Sequence, residues 1–244
     1  MTIERGNFGT TEPQQKALSV ALSWTKGYFD SVPQGTPING HGFDKTMRQA
    51  GMAAIVAKGE RFPVFLPVLT AMVMDVGRAT NDPRAGNFRH GEVSKEMVVD
   101  NLFPLLDILT PEDRIIVANA IEDHPKLNEY VRESDVVKIV MDADRLGCLG
   151  LLGPLRAASG RPDKPLILPW ETDDQTQTIA SSADDRIQTV WQDMAVRHME
   201  WVDMLWTYTA KEIAEPRVIA YRRYLKEVQK EAGFSYSAFR RLGI

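Results

Sequence analysis

Two aspartates and two histidines carry the chemistry open to this chain. Asp75 closes an apolar helical run, Leu69-Thr70-Ala71-Met72-Val73-Met74-Asp75-Val76, just before Gly77 and Arg78. A carboxylate at the end of a buried run needs a cation or strong donors. The negative end of the helix dipole adds to that demand. A metal ion, a Lys or Arg, or a strong hydrogen-bond donor would meet it. Asp144 makes the same demand. The apolar stripe of its helix runs Val137, Val140, Met141, then Asp144, then Cys148, so this acid points where the core points. Asp142 lies about 160° round the same helix and is expected to be solvated. Of the four histidines, His41 opens a helix, His90 precedes one that starts at Glu92, and His124 ends the stripe Val117, Ala120, Ile121. An imidazole titrates close to neutrality and serves as a base or a metal ligand. His198, within a Trp-rich segment, is expected to be a partly exposed packing residue.

The elements that must position these residues are almost all helical, because apolar residues recur at helical spacing and strand-like alternation is scarce. Helices are expected over Thr11–Ser31, 43–58, Leu66–Val76, Glu92–Leu109 with a kink at Pro104, 111–124 and 135–149. Thr110-Pro111-Glu112-Asp113 has the form of a helix start. Residues 77–91 read as a loop and 158–183, rich in Pro, Asp, Ser and Gly, as a long exposed excursion. A long helix over Asp184–Ala214 should be broken by Pro216, with a charged last helix running to about Ala232. Trp191, Trp201, Trp206 and Tyr208 would then form an aromatic stripe, either core or the face of a homodimer.

The 244 residues carry a net charge of −4 and no polybasic run, which argues against a nucleic-acid polymer or a membrane surface as partner. No signal-peptide core opens the chain and no apolar run reaches membrane-spanning length, so a cytoplasmic location is expected. Cys148 is the only cysteine, which excludes an internal disulfide and a Cys-based zinc site.

The stretch Asp142-Ala143-Asp144-Arg145-Leu146-Gly147-Cys148-Leu149-Gly150 resembles Asp-Ala-Asp-Arg-Leu-Asp-Ala-Leu-Gly of the HD-domain superfamily of metal-dependent phosphohydrolases. The nearest branch is that of the small bacterial HD hydrolases acting on nucleotides. Met74-Asp75-Val76-Gly77-Arg78 is similar to its His-Asp-Ile-Gly-Arg, His90-Gly91-Glu92-Val93-Ser94 to the His-rich start of the next helix, and Ala120-Ile121-Glu122-Asp123-His124 to a later Ile-x-x-His. The likeness covers about 38–155 and extends more weakly to Ala210–Ala214. It implies an all-α fold, a single HD-type helical bundle over 1–244 with extra C-terminal helices at about 184–232.

The resemblance also exposes two departures. His41-Gly42-Phe43-Asp44-Lys45-Thr46-Met47-Arg48-Gln49 stands at the family's His-Asp-Trp-x-His-x-x-Arg-Val, so Lys45 replaces a metal-binding histidine. Met74 replaces the histidine of the His–Asp pair. Of four implied ligands only Asp75 and Asp144 remain, unless a shifted match gives His41 the ligand role. Lys45 could bridge the two acids where a divalent ion would sit, and a thioether at Met74 is a poor ligand for Mg, Mn or Zn. No metal is therefore expected at the usual position. A divalent ion (Mn, Fe, Mg or Zn), if one binds, should be displaced toward His90 and His124, with Asp75, His90, His124 and Asp144 as its candidate ligands.

The expected function is that of a diverged hydrolase-like enzyme acting on a small molecule, a nucleotide or other phosphate ester. Asp75, His90, His124, Asp144 and Lys45 would be the catalytic group, with Arg48, Lys45, His41 and Arg78 binding substrate. The alternatives are a metal-free ligand-binding pseudoenzyme and a metal-independent acid–base catalyst of a non-phosphorylated metabolite.

Overall fold

The computed structural model describes residues 9–32, 42–85, 89–126, 128–160, 166–167 and 189–240. His41 and most of the 158–183 excursion lie outside the described residues. Within them every regular element is helical, as expected. The chain that reads as one domain has two compact units, Met1–Asp144 with Trp206–Ala210, and Arg145–Leu205 with Lys211–Ile244.

The first unit is built from α1 (Glu12–Ser31), α2 (Phe43–Gly59), α3 (Phe65–Val73), α4 (His90–Met97), α5 (Pro111–Asp123) and most of α6 (Asp135–Leu146). The starts of α1 and α5 follow from local chemistry. Thr11 and Thr110 each form a capping box with the residue three further on, Gln14 and Asp113, and a proline follows in the first turn. Helix α3 is apolar on nearly every side, and Pro67 to Val73 are all buried, which makes it the central element. A short 3-10 turn, Val76–Ala79, follows it inside the segment read as a loop. The expected Glu92–Leu109 helix is α4, a π-helical turn Val98–Leu102 and a 3-10 turn Phe103–Leu105; Pro104 tightens its end rather than bending one long helix.

Two glycines bring the site elements together. A Cβ on Gly77 would lie 2.8 Å from the amide nitrogen and hydroxyl of Ser94, and a Cβ on Gly91 would lie 2.8 Å from the carbonyl of Ile121. The first approach seats the turn after Asp75 on α4, where Gly77 N–H donates to Ser94 Oγ at 2.9 Å. The second sets the start of α4 against the end of α5, beside His124. No Cβ fits at either contact.

Asp142 is fully buried rather than solvated. Its carboxylate accepts hydrogen bonds from the amides of Trp206 and Thr207 and from the Thr207 hydroxyl, at 2.8–3.2 Å. It thus anchors the two residues before a helix that begins at Tyr208, and Thr207 caps that helix itself, its Oγ1 accepting from the Ala210 N–H at 3.2 Å. This explains a second correction. The expected Asp184–Ala214 helix does not exist as one piece. Its described part is α8 (Val190–Gln192), a π-helical turn (Asp193–Arg197) and α9 (His198–Asp203), which ends before α10 (Tyr208–Arg240). Pro216 lies inside α10 and does not stop it.

The second unit packs Trp191, Met194, Tyr221 and Leu225 into a core with α7 (Gly153–Gly160), whose last residues reach into the segment read as the exposed excursion. His198 is buried there, not partly exposed; its Nδ1 lies 2.6 Å from the Tyr221 hydroxyl and its ring stacks on Trp201. The aromatic stripe is divided, since Trp191 is core while Tyr208 is 70% exposed. Among the described residues no helix is long and apolar enough to cross a membrane.

Candidate functional site

Lys45 lies in the first turn of α2 with its side chain turned inward, 3% exposed. Its ammonium is 2.5 Å from Asp75 Oδ2 and 3.3 Å from Asp144 Oδ1. Asp75 is 2% exposed, so the pair is removed from water. A lone buried carboxylate is costly, and the ammonium offsets that cost at close range. Asp144 is the most open member of the group, with 23% of its side chain exposed.

Gln49, one helical turn beyond Lys45, also reaches this centre. Its Nε2 donates to Asp144 Oδ1, while its Oε1 is buried with no hydrogen-bond partner. Sequence reasoning missed this residue. The signal was its spacing: Lys45 and Gln49 are four apart and share one face of α2.

The other side of Asp75 belongs to α3's exit turn, α4 and α5. Arg78 Nε donates to Asp75 Oδ1 at 3.3 Å. His90 Nε2 and His124 Nε2 lie 3.4 and 3.6 Å from the same oxygen and 3.0 Å from each other. His124 Nδ1 is 2.6 Å from the carbonyl of Ile121. A carbonyl only accepts, so that nitrogen carries a proton, which leaves Nε2 as the lone-pair nitrogen of the neutral ring. His90 Nε2 is then the donor between the two rings. Burial pushes the His90 pKa down to about 4, against the hydrogen bond to Asp75 that raises it.

Asp75, His90 and His124 each offer one atom to a common point, with these atoms all within 4.8 Å of one another. Donors bound to one ion at about 2.0–2.1 Å lie roughly 3.0–3.4 Å apart. Two of the separations, 3.0 and 3.4 Å, fall in that range, and the third, 3.6 Å, is slightly wider. The proton that the Ile121 carbonyl holds on His124 also matches the second-shell bond of a ligating histidine. The position between Asp75 and Asp144 does not fit an ion, because Lys45 fills it.

The structure therefore brings together Lys45, Asp75, His90, His124 and Asp144, with Arg78 at the margin. Arg48 is not among them. It is on the open side of α2, 53% exposed, and pairs with Asp44 at 2.5 Å. Met74 is fully buried in the core of the first unit.

The chain is similar to a Lactobacillus plantarum protein of known structure, with a TM-score of 0.65, 20% identity, and coverage of 91% of this chain and 97% of that one. It is similar as well to an HD-superfamily hydrolase from Bacillus thuringiensis, with a TM-score of 0.63, 21% identity, and coverage of 89% and 97%. The fold is that of the HD superfamily. Bacillus subtilis YpgQ, solved in complex with ADP, matches with a TM-score of 0.63 and 20% identity over 90% of this chain and 96% of that one. No family model and no curated protein matches the chain. Within this all-helical frame Asp75, His90 and His124 form the candidate ion site, with Lys45 on the other oxygen of Asp75.

Proposed function

We propose that this chain is a diverged HD-type hydrolase of small phosphate esters, with an altered metal centre. One observation carries the reading: the two oxygens of Asp75 face different partners. Oδ2 meets Lys45, and Oδ1 faces His90 and His124. An ion held by Asp75, His90 and His124 would supply a Lewis acid beside a phosphoryl oxygen.

The chain's own residues do the remaining work. The Ile121 carbonyl fixes the His124 tautomer, so its Nε2 is ready to take a ligand or a proton. Arg78, 15% exposed, donates from Nε to Asp75 and from Nη1 to the Ala85 carbonyl, which fixes its positive charge at the margin of the site, where it attracts a phosphate. Lys45 neutralises two acids that would otherwise repel an incoming anion. The ADP complex of YpgQ makes nucleotides the first class to test.

A second reading draws support from charge. Lys45 and Arg78 stand against Asp75 and Asp144, so these fixed charges balance without an ion. The chain would then be a metal-independent acid–base catalyst of a non-phosphorylated metabolite, with His90 or His124 moving the proton, or a ligand-binding pseudoenzyme. Phosphate release from a panel of nucleotides and sugar phosphates, with Mn²⁺ and after chelation, separates the readings. The first expects turnover that chelator and His124→Ala both abolish. No phosphate release in either condition, with thermal stabilisation by non-phosphorylated ligands alone, favours the second.

A further inference from the structure

We propose that Lys45 is a built-in cation of a two-cation centre. Its ammonium takes the place of one ion of a two-metal site, and the Asp75 carboxylate bridges it to the ion position at His90 and His124. The inference rests on the metal-bearing reading above and deepens it.

Two-metal hydrolytic sites place their ions about 3.5–4 Å apart around shared ligands, so that two positive centres face one phosphoryl group. Asp75 is disposed as such a shared ligand. Oδ2 is 2.5 Å from Lys45 Nζ, and Oδ1 faces the two histidine nitrogens at 3.4 and 3.6 Å. Asp144 completes the Lys45 side. Its Oδ1 lies 3.3 Å from the ammonium and also receives Gln49 Nε2. Two nitrogen groups of α2 thus converge on this one oxygen. Lys45 and Gln49 come from consecutive turns of α2, and both are almost wholly buried. The positive charge is therefore fixed by the fold and cannot exchange with solvent as an ion does.

Two consequences follow from charge and bulk separately. A fixed ammonium a few ångströms from the ion position repels an ion there, by Coulomb's law. Removing the charge while keeping the bulk, Lys45→Met, should tighten ion binding without adding a second ion. Removing both, Lys45→Ala, should open the Asp75–Asp144 position to a second ion.

The test is Mn²⁺ binding by equilibrium dialysis, with electron paramagnetic resonance to detect coupled pairs of ions. Wild type should bind one equivalent with an uncoupled signal. Lys45→Met should bind one equivalent roughly tenfold or more tightly. Lys45→Ala should bind two, with a coupled signal. One equivalent in both wild type and Lys45→Ala, or unchanged affinity in Lys45→Met, overturns the role of Lys45 while leaving the metal-bearing reading intact. Two equivalents in wild type also overturn it. No binding by wild type rejects both together. If Lys45→Ala does not fold, the Lys45→Met affinity decides the matter.

Discussion

The Lys45 ammonium lies 2.5 Å from Asp75 Oδ2, with both side chains withdrawn from water. Breaking such a pair from one side leaves an uncompensated buried charge. Lys45→Ala should therefore destabilise the fold by about 3–5 kcal/mol, read from urea unfolding. A loss of under about 0.5 kcal/mol, the value for an ordinary surface position, would mean that water screens the pair.

His90 gives the fold a pH dependence. Burial holds its pKa near 4, whereas the unfolded chain should titrate near the ordinary 6.5. Below about pH 6.5 the unfolded chain takes up a proton that the folded chain refuses. Stability should thus fall as pH drops from about 6.5 to about 4, by up to about 3 kcal/mol, and this contribution should level off below that. Above pH 6.5 it is fully present and constant. Unfolding curves for wild type and His90→Gln across pH 4–8 isolate the contribution. Equal slopes in the two proteins would contradict it.

The phosphate contacts expected from sequence divide in two. Arg48 and Lys45 are three apart, which suggests one anion-binding face, yet Lys45 is buried and Arg48 is exposed and paired with Asp44. Arg48→Ala should change nucleotide binding by less than about 0.5 kcal/mol. Arg78→Ala should weaken it by about 1.5–3 kcal/mol, the worth of a charge-assisted hydrogen bond. Calorimetric titration with ADP checks both. A large loss for Arg48→Ala and none for Arg78→Ala would reverse the assignment.

What the sequence made legible follows from where the determining interactions lie. The starts of α1 and α5 depend on capping boxes within four residues, so they can be read locally. Asp75 and Asp144 were legible because an acid at a core-facing position demands a counter-ion, whatever its source. The break before α10 was not: Thr207 caps that helix locally, but the residues before it are held by Asp142, more than sixty residues earlier. The same tertiary bonds buried an acid that helical spacing alone assigned to solvent. Pro216 was misread as a stop because its missing N–H costs one helical bond, which a long packed helix tolerates. Gln49 was overlooked for another reason. A neutral amide shows no charge demand, and only the fold reveals that it donates to Asp144.

The most direct test of the altered centre is to count the histidine nitrogens on bound Mn²⁺ by pulsed electron paramagnetic resonance. Two are expected, with one lost in His90→Ala, one lost in His124→Ala, and both retained in Asp144→Ala. Tight binding without histidine nitrogens, abolished by Asp144→Ala, would place the ion between the two aspartates and contradict the account.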